Sequence, residues 1–159
     1  MNKLIQILAN NARLTSEQLA AMTGMTPAQV EAEIAALQAQ GVIRGYKAIV
    51  DWDKTDRERV AAMIEVRVTP QRDMGFDAVA KRIYRFEEVK SVYLMSGGYD
   101  LLVLVEARTL KELALFVSEK LSPLEMVTGT ATSFVLKRYK EEGVIFEGEK
   151  SDQRLVVTP

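Results

Sequence analysis

The spacing of apolar residues near the start of the chain predicts two short helices. Leu4 and Leu8 lie one helical turn apart, and the first helix breaks at Asn10-Asn11. The second begins at Thr15-Ser16-Glu17-Gln18, a capping box in which the threonine hydroxyl accepts from the glutamine amide and the glutamine side chain reaches back. Gly24 is its expected end. The positions expected to face inward on this helix are Leu19, Ala20 and Met22.

A third helix is predicted directly afterwards. Thr26-Pro27-Ala28-Gln29 combines an N-capping threonine, a proline at the first helical position and a glutamine that closes the box. Gly41 is the expected stop. Two helices joined by a tight turn are typical of a helix-turn-helix, whose second helix lies in the major groove of DNA, but a plain helical hairpin has the same pattern. The predicted buried stripe is Val30, Ile34 and Leu37.

The segment after the third helix predicts a wing and then a linker. Gly41-Val42-Ile43-Arg44-Gly45-Tyr46 turns into an alternating strand over residues 46–50, which resembles the wing of a winged helix. Residues 51–59, DWDKTDRER, form a polar linker whose spaced aspartates hint at a calcium loop. Asp56 stands where such a loop requires glycine and Ala62 where it requires glutamate, so we discard the metal site.

From Val60 onward the hydrophobic period changes to two, the spacing of a strand. A helix up to residue 85 follows, then a hairpin, a helix capped by Thr109-Leu110-Lys111-Glu112, and a last strand over residues 127–139. The order βαββαβ with right-handed crossovers predicts a ferredoxin-like sheet with both helices on one face. The defining positions are Ile64, Val66 and Val68 before Pro70; Phe76, Val79, Ala80 and Ile83; Val92 and Leu94; Leu110, Leu113, Ala114, Val117 and Leu121; and Thr128, Thr130, Thr132, Phe134 and Leu136 on one side of the last strand.

The predicted fold class is α+β, with an N-terminal winged helix-turn-helix followed by a C-terminal ferredoxin-like βαββαβ domain. The predicted boundaries are residues 1–50 for the first domain, 51–59 for the linker, 60–143 for the second domain and 144–159 for a C-terminal tail. One face of the sheet has no helix to cover it and carries apolar and threonine residues. We therefore infer that this face is buried against a second copy in a homodimer.

The hairpin loop Ser96-Gly97-Gly98-Tyr99-Asp100 is the candidate for chemistry. Its paired glycines permit positive φ and let a ligand approach bare backbone amides, while Asp100 places a carboxylate beside them. A Gly-Gly hairpin turn with a capping aspartate explains the same residues. On the loop alone, both interpretations stay open.

The composition narrows the classes of function. Because the chain has no cysteine and no histidine, it has no disulfide, no thiolate nucleophile, no imidazole base and no zinc site of the usual type. We expect no enzyme activity and no cofactor. The net charge of −1 gives no global attraction to nucleic acid or anionic membranes, so any such binding needs a local patch. Without a secretory segment or ~18 consecutive apolar residues, the chain is expected to be soluble and cytoplasmic, with no membrane partner.

Nearly the whole chain, from Lys3 to about Gly143, resembles the Lrp/AsnC family, also called feast/famine regulators. The order and spacing of several pieces carry this resemblance: Asn11-Ala12-Arg13-Leu14-Thr15, Thr26-Pro27, Gly41-Val42-Ile43-Arg44-Gly45-Tyr46, Gly98-Tyr99-Asp100, and residues 132–136. The resemblance implies a bacterial or archaeal transcription factor with a helix-turn-helix and a ligand-sensing ferredoxin-like domain. It also implies dimers that assemble into higher oligomers.

The same resemblance implies a small effector, usually an amino acid, bound at the hairpin loop between neighbouring dimers. Gly97 and Gly98 would present amides to its carboxylate, and Asp100 would pair with its ammonium through a charge-assisted hydrogen bond. The side chains of Met95 and Tyr99 would form the walls of this effector site. The predicted effector-binding residues are Met95, Ser96, Gly97, Gly98, Tyr99 and Asp100.

Double-stranded DNA is the other expected partner. Helix N-terminal amides and basic side chains would contact phosphates, and Gln29 would read adenine. The family usually carries arginine or lysine at the positions of Glu33 and Ala36, and in residues 1–45 three basic side chains only balance three acidic ones. We therefore expect weak DNA binding by one copy, opposed by Glu33 near the phosphates. The predicted DNA-binding residues are Arg13, Thr26, Pro27, Ala28, Gln29, Glu33, Arg44 and Lys47.

Two functions follow from these expectations. The first is a sequence-specific, DNA-binding transcriptional regulator whose oligomer responds to a small effector, with an amino acid favoured. The alternative is an effector-binding oligomeric protein of the same family that has lost direct DNA binding. The acidic third helix favours the alternative, whereas the intact caps and the wing favour the regulator.

Overall fold

The structure is a computed structural model, and it describes residues 2–69 and 75–146. The chain divides into two compact units, Met1–Ile49 and Val50–Pro159. The predicted strand end at Pro70 and residues 147–159 of the predicted tail lie outside the described residues.

The first unit contains three helices, α1 (Lys3–Asn10), α2 (Ser16–Thr23) and α3 (Pro27–Ala39). Gly24 ends α2 with a φ of 77°, a conformation that glycine adopts without steric cost. After α3, the Gly41 amide donates to the Gln38 carbonyl and the Val42 amide to the Leu37 carbonyl, both at 2.9 Å. This is a Schellman motif, so the predicted helices and both glycine stops are confirmed.

The core of the first unit follows the predicted apolar stripes with one exception. Met22 is 47% exposed, although it was expected to face inward. Around α2, Thr23 lies between the two buried positions, and Met22 is about 100° away from it. Thr23 is half-buried, and its hydroxyl donates to the Leu19 carbonyl at 2.7 Å. The core is formed by Leu4, Leu8, Leu19, Ala20 and Val30, with Ile7, Leu14, Met25, Ile34 and Ile43 packed against them.

The strand predicted over residues 46–50 is not present. Residues 44–50 have no strand pairing in the structure and are mostly exposed. A single extended segment forms a strand only when a neighbouring segment accepts its backbone hydrogen bonds, and the described part of the chain places none beside it.

The second unit is built on a four-stranded antiparallel sheet. Its strands are β1 (Val60–Val68), β2 (Val89–Leu94), β3 (Leu101–Ala107) and β4 (Val127–Phe134), in the order β2-β3-β1-β4. Helix α4 (Phe76–Ile83) follows β1, and α5 (Leu110–Leu115) follows β3 and continues as a π-helical stretch, Phe116–Leu121. The predicted ferredoxin-like βαββαβ order is confirmed.

One face of this sheet packs on the helices and forms the core. Rows of paired residues cross the strands, such as Val92, Val103, Ile64 and Thr132. Ile64 and Val103 in this row are fully buried, and Val79, Ile83, Leu113, Phe116 and Leu121 from the helices belong to the same core. The predicted placement of both helices on one face is therefore correct.

The buried face of α5 differs from the prediction. Leu110 is 57% exposed and Ala114 is also exposed, whereas Phe116, which was not in the predicted stripe, is 2% exposed. Phe116 follows the buried Leu113 by three residues, so the two side chains share one face of the helix. In the π-helical stretch the Ser122 amide donates to the Val117 carbonyl five residues back at 2.8 Å, and this wider turn lets Leu121, five residues after Phe116, reach the same core.

Strand β4 ends at Phe134 and not at Tyr139 as predicted. The Val135 amide still donates to the Ala61 carbonyl at 2.9 Å, but β1 begins at Val60, so β4 has no partner further along. The register also corrects the placement of the threonines. Thr130 and Thr132 pair with Val66 and Ile64 and therefore lie on the helix-covered face.

The open face of the sheet carries the alternate residues. Tyr93 pairs with Leu102, and Leu104 pairs with Met63, so their side chains share this face. Tyr93 is 55% and Met63 47% exposed. Residues 135 and 137–141 run beside Ala61, and together with Met63, Leu104 and Glu106 they line a groove of about 450 Å³.

A short hairpin follows, β5 (Lys140–Glu141) and β6 (Val144–Ile145). Its two turn residues, Glu142 and Gly143, have φ values of 48° and 82°. Positive φ at both central positions is the mark of a type I′ hairpin turn. The hairpin spans residue 143, where the second domain was predicted to end.

Candidate functional sites

The start of α3 is held by a complete capping box. The Gln29 amide donates to the Thr26 hydroxyl at 3.3 Å, and the Thr26 amide donates to Gln29 Oε1 at 2.9 Å. A two-bonded contact between glutamine and adenine uses the same side-chain oxygen. Adenine recognition by Gln29 therefore competes with the cap.

The two acids of α3 have partners inside the first unit. Asn2 Nδ2 donates to Glu33 Oε1 at 2.8 Å, and the Ser16 hydroxyl donates to Glu31 Oε1 at 3.1 Å. Asn2 also caps α1, because its Oδ1 accepts from the Leu4 amide at 3.0 Å. Glu33 is half-buried, so its carboxylate is a contact between α3 and α1, where the sequence alone suggested a charge facing DNA.

The other predicted DNA-binding residues are on the surface of the first unit. Thr26, Pro27, Ala28 and Gln29 are exposed together at the first turn of α3. Arg13 is exposed in the turn before α2, and Lys47 lies in the extended segment after α3.

Arg44 lies near the C-terminal end of α3. A Cβ built on Gly41 would be 3.2 Å from the Arg44 Cζ, so the guanidinium lies against the turn that ends the helix. A cation there also interacts favourably with the helix dipole. The exposed first turn and Arg44 are therefore at opposite ends of a helix about 20 Å long.

The hairpin loop is closed by backbone hydrogen bonds. The Met95 amide donates to the Asp100 carbonyl at 2.8 Å, and the Asp100 amide donates to the Val66 carbonyl at 3.1 Å. The Asp100 carboxylate also reaches β1, where its Oδ2 accepts from the Val68 amide at 2.8 Å. Residues 95–98 are exposed, and Tyr99 and Asp100 are half-buried.

The glycines of the loop do not use their special conformational freedom. Among the described glycines, positive φ occurs at Gly24, Gly41 and Gly143 but at neither Gly97 nor Gly98, although the sequence permits it there. A Cβ added at Gly97 or Gly98 would meet no described atom within 4 Å. Neither the backbone conformation nor this chain's packing therefore requires glycine at these positions.

Asp100 serves the capping role and still offers acceptor capacity. A carboxylate has two oxygens with about four lone-pair directions, and Val68 uses one of them. The structural interpretation of Asp100 and the ligand-binding interpretation are therefore compatible in this loop.

A cavity of about 630 Å³ lies at the opposite end of the sheet and is lined by none of the described residues 95–100. Its lining includes Trp52, Arg57 and Arg59. The guanidinium groups of Arg57 and Arg59 lie 5.1 and 5.2 Å from the centre of the Trp52 ring, and Arg59 also forms an ion pair with Glu106. Burial lowers the pKa of Arg59, but an arginine stays charged.

Two further ion pairs line this cavity. Lys120 forms an ion pair with Glu88, and Arg108 with Glu112 at 3.0 Å. Burial raises the pKa of Glu88, but the hydrogen bond from Lys120, a backbone hydrogen bond and the charges of Lys120 and Lys90 together lower it, so the net pKa is below its usual value. The ion pair between Arg59 and Glu106 attaches the linker to the sheet. Because the ion-paired side chains already have partners within the protein, they do not indicate a ligand site.

Within residues 2–69 and 75–146, no group of three or more acidic, histidine or cysteine side chains is placed to hold a metal ion. Within the same ranges, no helix is both long and apolar enough to cross a membrane.

Reasoning from the sequence missed two sets of residues. The first is Asn2, whose position just before a helix is a usual capping signal. The second is the cluster of Trp52, Arg57, Arg59 and Glu106. A single tryptophan in a linker that contains arginines was a signal for this cluster. The ion pair of Arg59 with Glu106 on β3 could not be predicted, because it depends on how the sheet forms.

Comparison with known families matches both units. Residues 2–44 match the model of a winged helix-turn-helix DNA-binding domain, and residues 61–145 match that of the Lrp/AsnC ligand binding domain. The HTH-type transcriptional regulator YugG of Bacillus subtilis is 48% identical over 158 residues, which cover 99% of this chain and 95% of YugG.

Solved structures share the same fold. PH0061 is 25% identical with a TM-score of 0.77, covering 91% of this chain and 98% of that chain. The transcriptional regulator NMB0573 of Neisseria meningitidis, solved with L-methionine, is 24% identical with a TM-score of 0.71, covering 89% and 93%. Together with the two domain matches and the near full-length similarity to YugG, this establishes that the chain belongs to the Lrp/AsnC family of HTH-type transcriptional regulators.

Proposed function

We propose that this regulator binds an amino acid at the loop of residues 95–100 and changes its DNA binding in response. The observation that carries the proposal is the space around Gly97 and Gly98. Both are exposed, neither has a positive φ, and added Cβ atoms would meet nothing in this chain. Glycine at both positions is explained if another molecule approaches the backbone there.

The chemistry of the loop suits an amino acid. The exposed amides of Gly97 and Gly98 are donors for a carboxylate, and the remaining lone pairs of Asp100 are acceptors for an ammonium. Ser96, Met95 and Tyr99 would flank the side chain of the ligand. NMB0573, which has the same fold, was solved with L-methionine, and this supports an amino acid as the ligand class.

We further propose a homodimer that assembles into higher oligomers. Loop residues 95–98 are exposed in one copy, so a neighbouring copy would supply the second wall of the site. The open face, with Met63, Tyr93, Leu102 and Leu104, is the natural surface for the dimer contact.

Direct DNA binding is favoured over its loss. The acids of α3 were the main reason for the alternative, but Glu31 and Glu33 are hydrogen-bonded to Ser16 and Asn2. They therefore maintain the helix-turn-helix. Contacts to phosphates would come from Arg13, Arg44, Lys47 and the Ala28 amide at the start of α3. The proposed role involves no catalysis, and because its target is DNA we propose a cytoplasmic location.

Asp100→Asn should abolish amino-acid binding while the loop stays closed. Asparagine can still accept from the Val68 amide, but it leaves the ligand ammonium without a charged partner, which costs about 2 to 4 kcal/mol. Calorimetry of the full chain against each of the 20 common amino acids measures this. Asp53→Asn, an exposed change in the linker, is the control and should bind like the wild type. Equal affinity in the Asp100→Asn protein would remove Asp100 from the site.

Gly98→Val should separate a ligand site from a plain turn. Since this position has no positive φ and its added Cβ meets nothing, the melting temperature should stay unchanged. Ligand binding should be lost because the side chain covers the backbone amides. A variant that melts and binds like the wild type would support the turn interpretation.

A truncated chain that begins at Val50 should remain a dimer or larger. The proposed contact lies on the sheet of the second unit, which starts at this residue. Light scattering at micromolar concentration measures the mass. A monomer would move the dimer contact to the first unit.

Arg44→Ala should weaken DNA binding measurably. Arg44→Ala removes one phosphate contact per bound subunit. For each lost contact, the slope of the logarithm of the binding constant against the logarithm of the salt concentration becomes shallower by about 0.9. Titration of long duplexes from low to moderate salt provides both numbers. Arg85→Ala, exposed in the second unit, is the matched control. No binding by the wild type even at low salt would favour the effector-binding alternative.

A further inference from the structure

The side of α3 opposite its buried residues carries five exposed alanines, and the exposed side chains of Gln29, Glu31 and Gln38 lie at its margins. Val30 and Leu37 point into the core, and the opposite side of the helix carries no long side chain. The exposed alanines are Ala28, Ala32, Ala35, Ala36 and Ala39. They cover about 16 Å along the helix axis.

The polar side chains in the first ten residues of α3 are used inside the domain. Gln29 gives its oxygen to the capping box, Glu31 accepts from Ser16, and Glu33 accepts from Asn2. The sequence has no lysine or arginine between residues 13 and 44. Apart from Gln38 in the last turn, whose Nε2 lies 3.5 Å from the Tyr46 hydroxyl, α3 therefore has no side chain left to read a base by paired hydrogen bonds, as arginine reads guanine.

A helix surface made of methyl groups can recognise a base in the major groove directly only by apolar contact. Thymine presents a 5-methyl group there, and alanine makes apolar contact with it. Short side chains also let the helix lie deep in the groove. Exposed alanines on a helix do not by themselves indicate that the helix binds DNA. The match of residues 2–44 to a DNA-binding helix-turn-helix identifies α3 as the recognition helix.

We infer that α3 selects its operators by the 5-methyl groups of thymines that lie against Ala28, Ala32 and Ala35. The inference rests on the DNA binding of the proposed function and names what that site reads. Sequence preference then comes from buried methyl groups, while phosphate contacts set the strength without selecting the sequence.

The test begins with selection of duplexes from a random library by the purified full-length protein. The selected duplex is then compared with the same duplex carrying deoxyuridine for thymine, one position at a time, by fluorescence anisotropy at fixed salt. This change removes one methyl group and no hydrogen-bonding group. We expect a loss of about fourfold in affinity for each methyl under the helix, with an unchanged salt slope.

Two further duplexes distinguish the outcomes. Deoxyuridine placed outside the protected region should have no effect. Replacing adenine by 7-deazaadenine removes the N7 acceptor that a glutamine would use, and it should change affinity less than twofold. Unchanged binding of the fully deoxyuridine-substituted duplex would overturn the inference, and a large effect of 7-deazaadenine alone would assign the reading to a glutamine, Gln29 or Gln38. Failure to bind any duplex at low salt would overturn the DNA-binding proposal itself.

A pair of arginine variants tests the geometry. Ala32→Arg adds a guanine-reading side chain to the exposed face of α3, so repeated selection should yield a site with guanine in place of a thymine. Ala21→Arg adds the same charge at an exposed position on α2 and should strengthen binding to all duplexes without changing the selected sequence. Both positions are exposed, and unchanged melting temperatures check folding. The same selected sequence for both variants would show that Ala32 does not face the bases.

Discussion

Strand β1 pairs with β3 along one edge and β4 along the other, and its buried side chains pack on α4 and α5. Burial of side chains such as Ile64 and Val66 stabilises the sheet by about 1.5 to 3 kcal/mol each. The same strand fixes the candidate effector loop. The Asp100 amide donates to the Val66 carbonyl, and its carboxylate accepts from the Val68 amide. A loop with exposed glycines is thus positioned by the most buried strand of the domain, as a preorganised site requires.

The first unit consists of three short helices, so many of its backbone groups lie at helix ends and need hydrogen-bond partners. Side-chain amides supply several of these partners. Asn2, Gln18 and Gln29 each bond a backbone group, and Asn2 also bonds Glu33 across to α3. These contacts explain why acidic side chains on α3 are compatible with a DNA-binding helix. An acid that looks misplaced in a list of residues is here a structural contact between two helices.

Much of the fold could be predicted from local signals. Capping boxes, glycine stops and the change of period at Val60 gave the order of all the main elements. Three of the errors have a common physical cause, which is that a distant segment decides the outcome. The end of β4 depends on where β1 begins, the face of Thr132 depends on the register with Ile64, and residues 44–50 need a partner to form a strand. In the candidate site, the loop could be located from its residues, but the contact of Asp100 with Val68 could not.

A recognition helix that presents methyl groups, in a domain whose four basic side chains exceed its three acidic ones by only one, has consequences for regulation. One copy gains little from phosphate neutralisation and little from hydrogen bonds to bases, so its affinity for DNA is low. Several copies bound to neighbouring sites in the proposed oligomer raise the overall affinity by a factor of about 100 to 10,000, provided their geometry fits the DNA. A ligand at the subunit contact that changes this geometry would then change DNA binding steeply, although it touches no base. The effector can therefore control DNA binding strongly only if each copy binds DNA weakly. A single copy with high DNA affinity would stay bound whether or not the oligomer assembled.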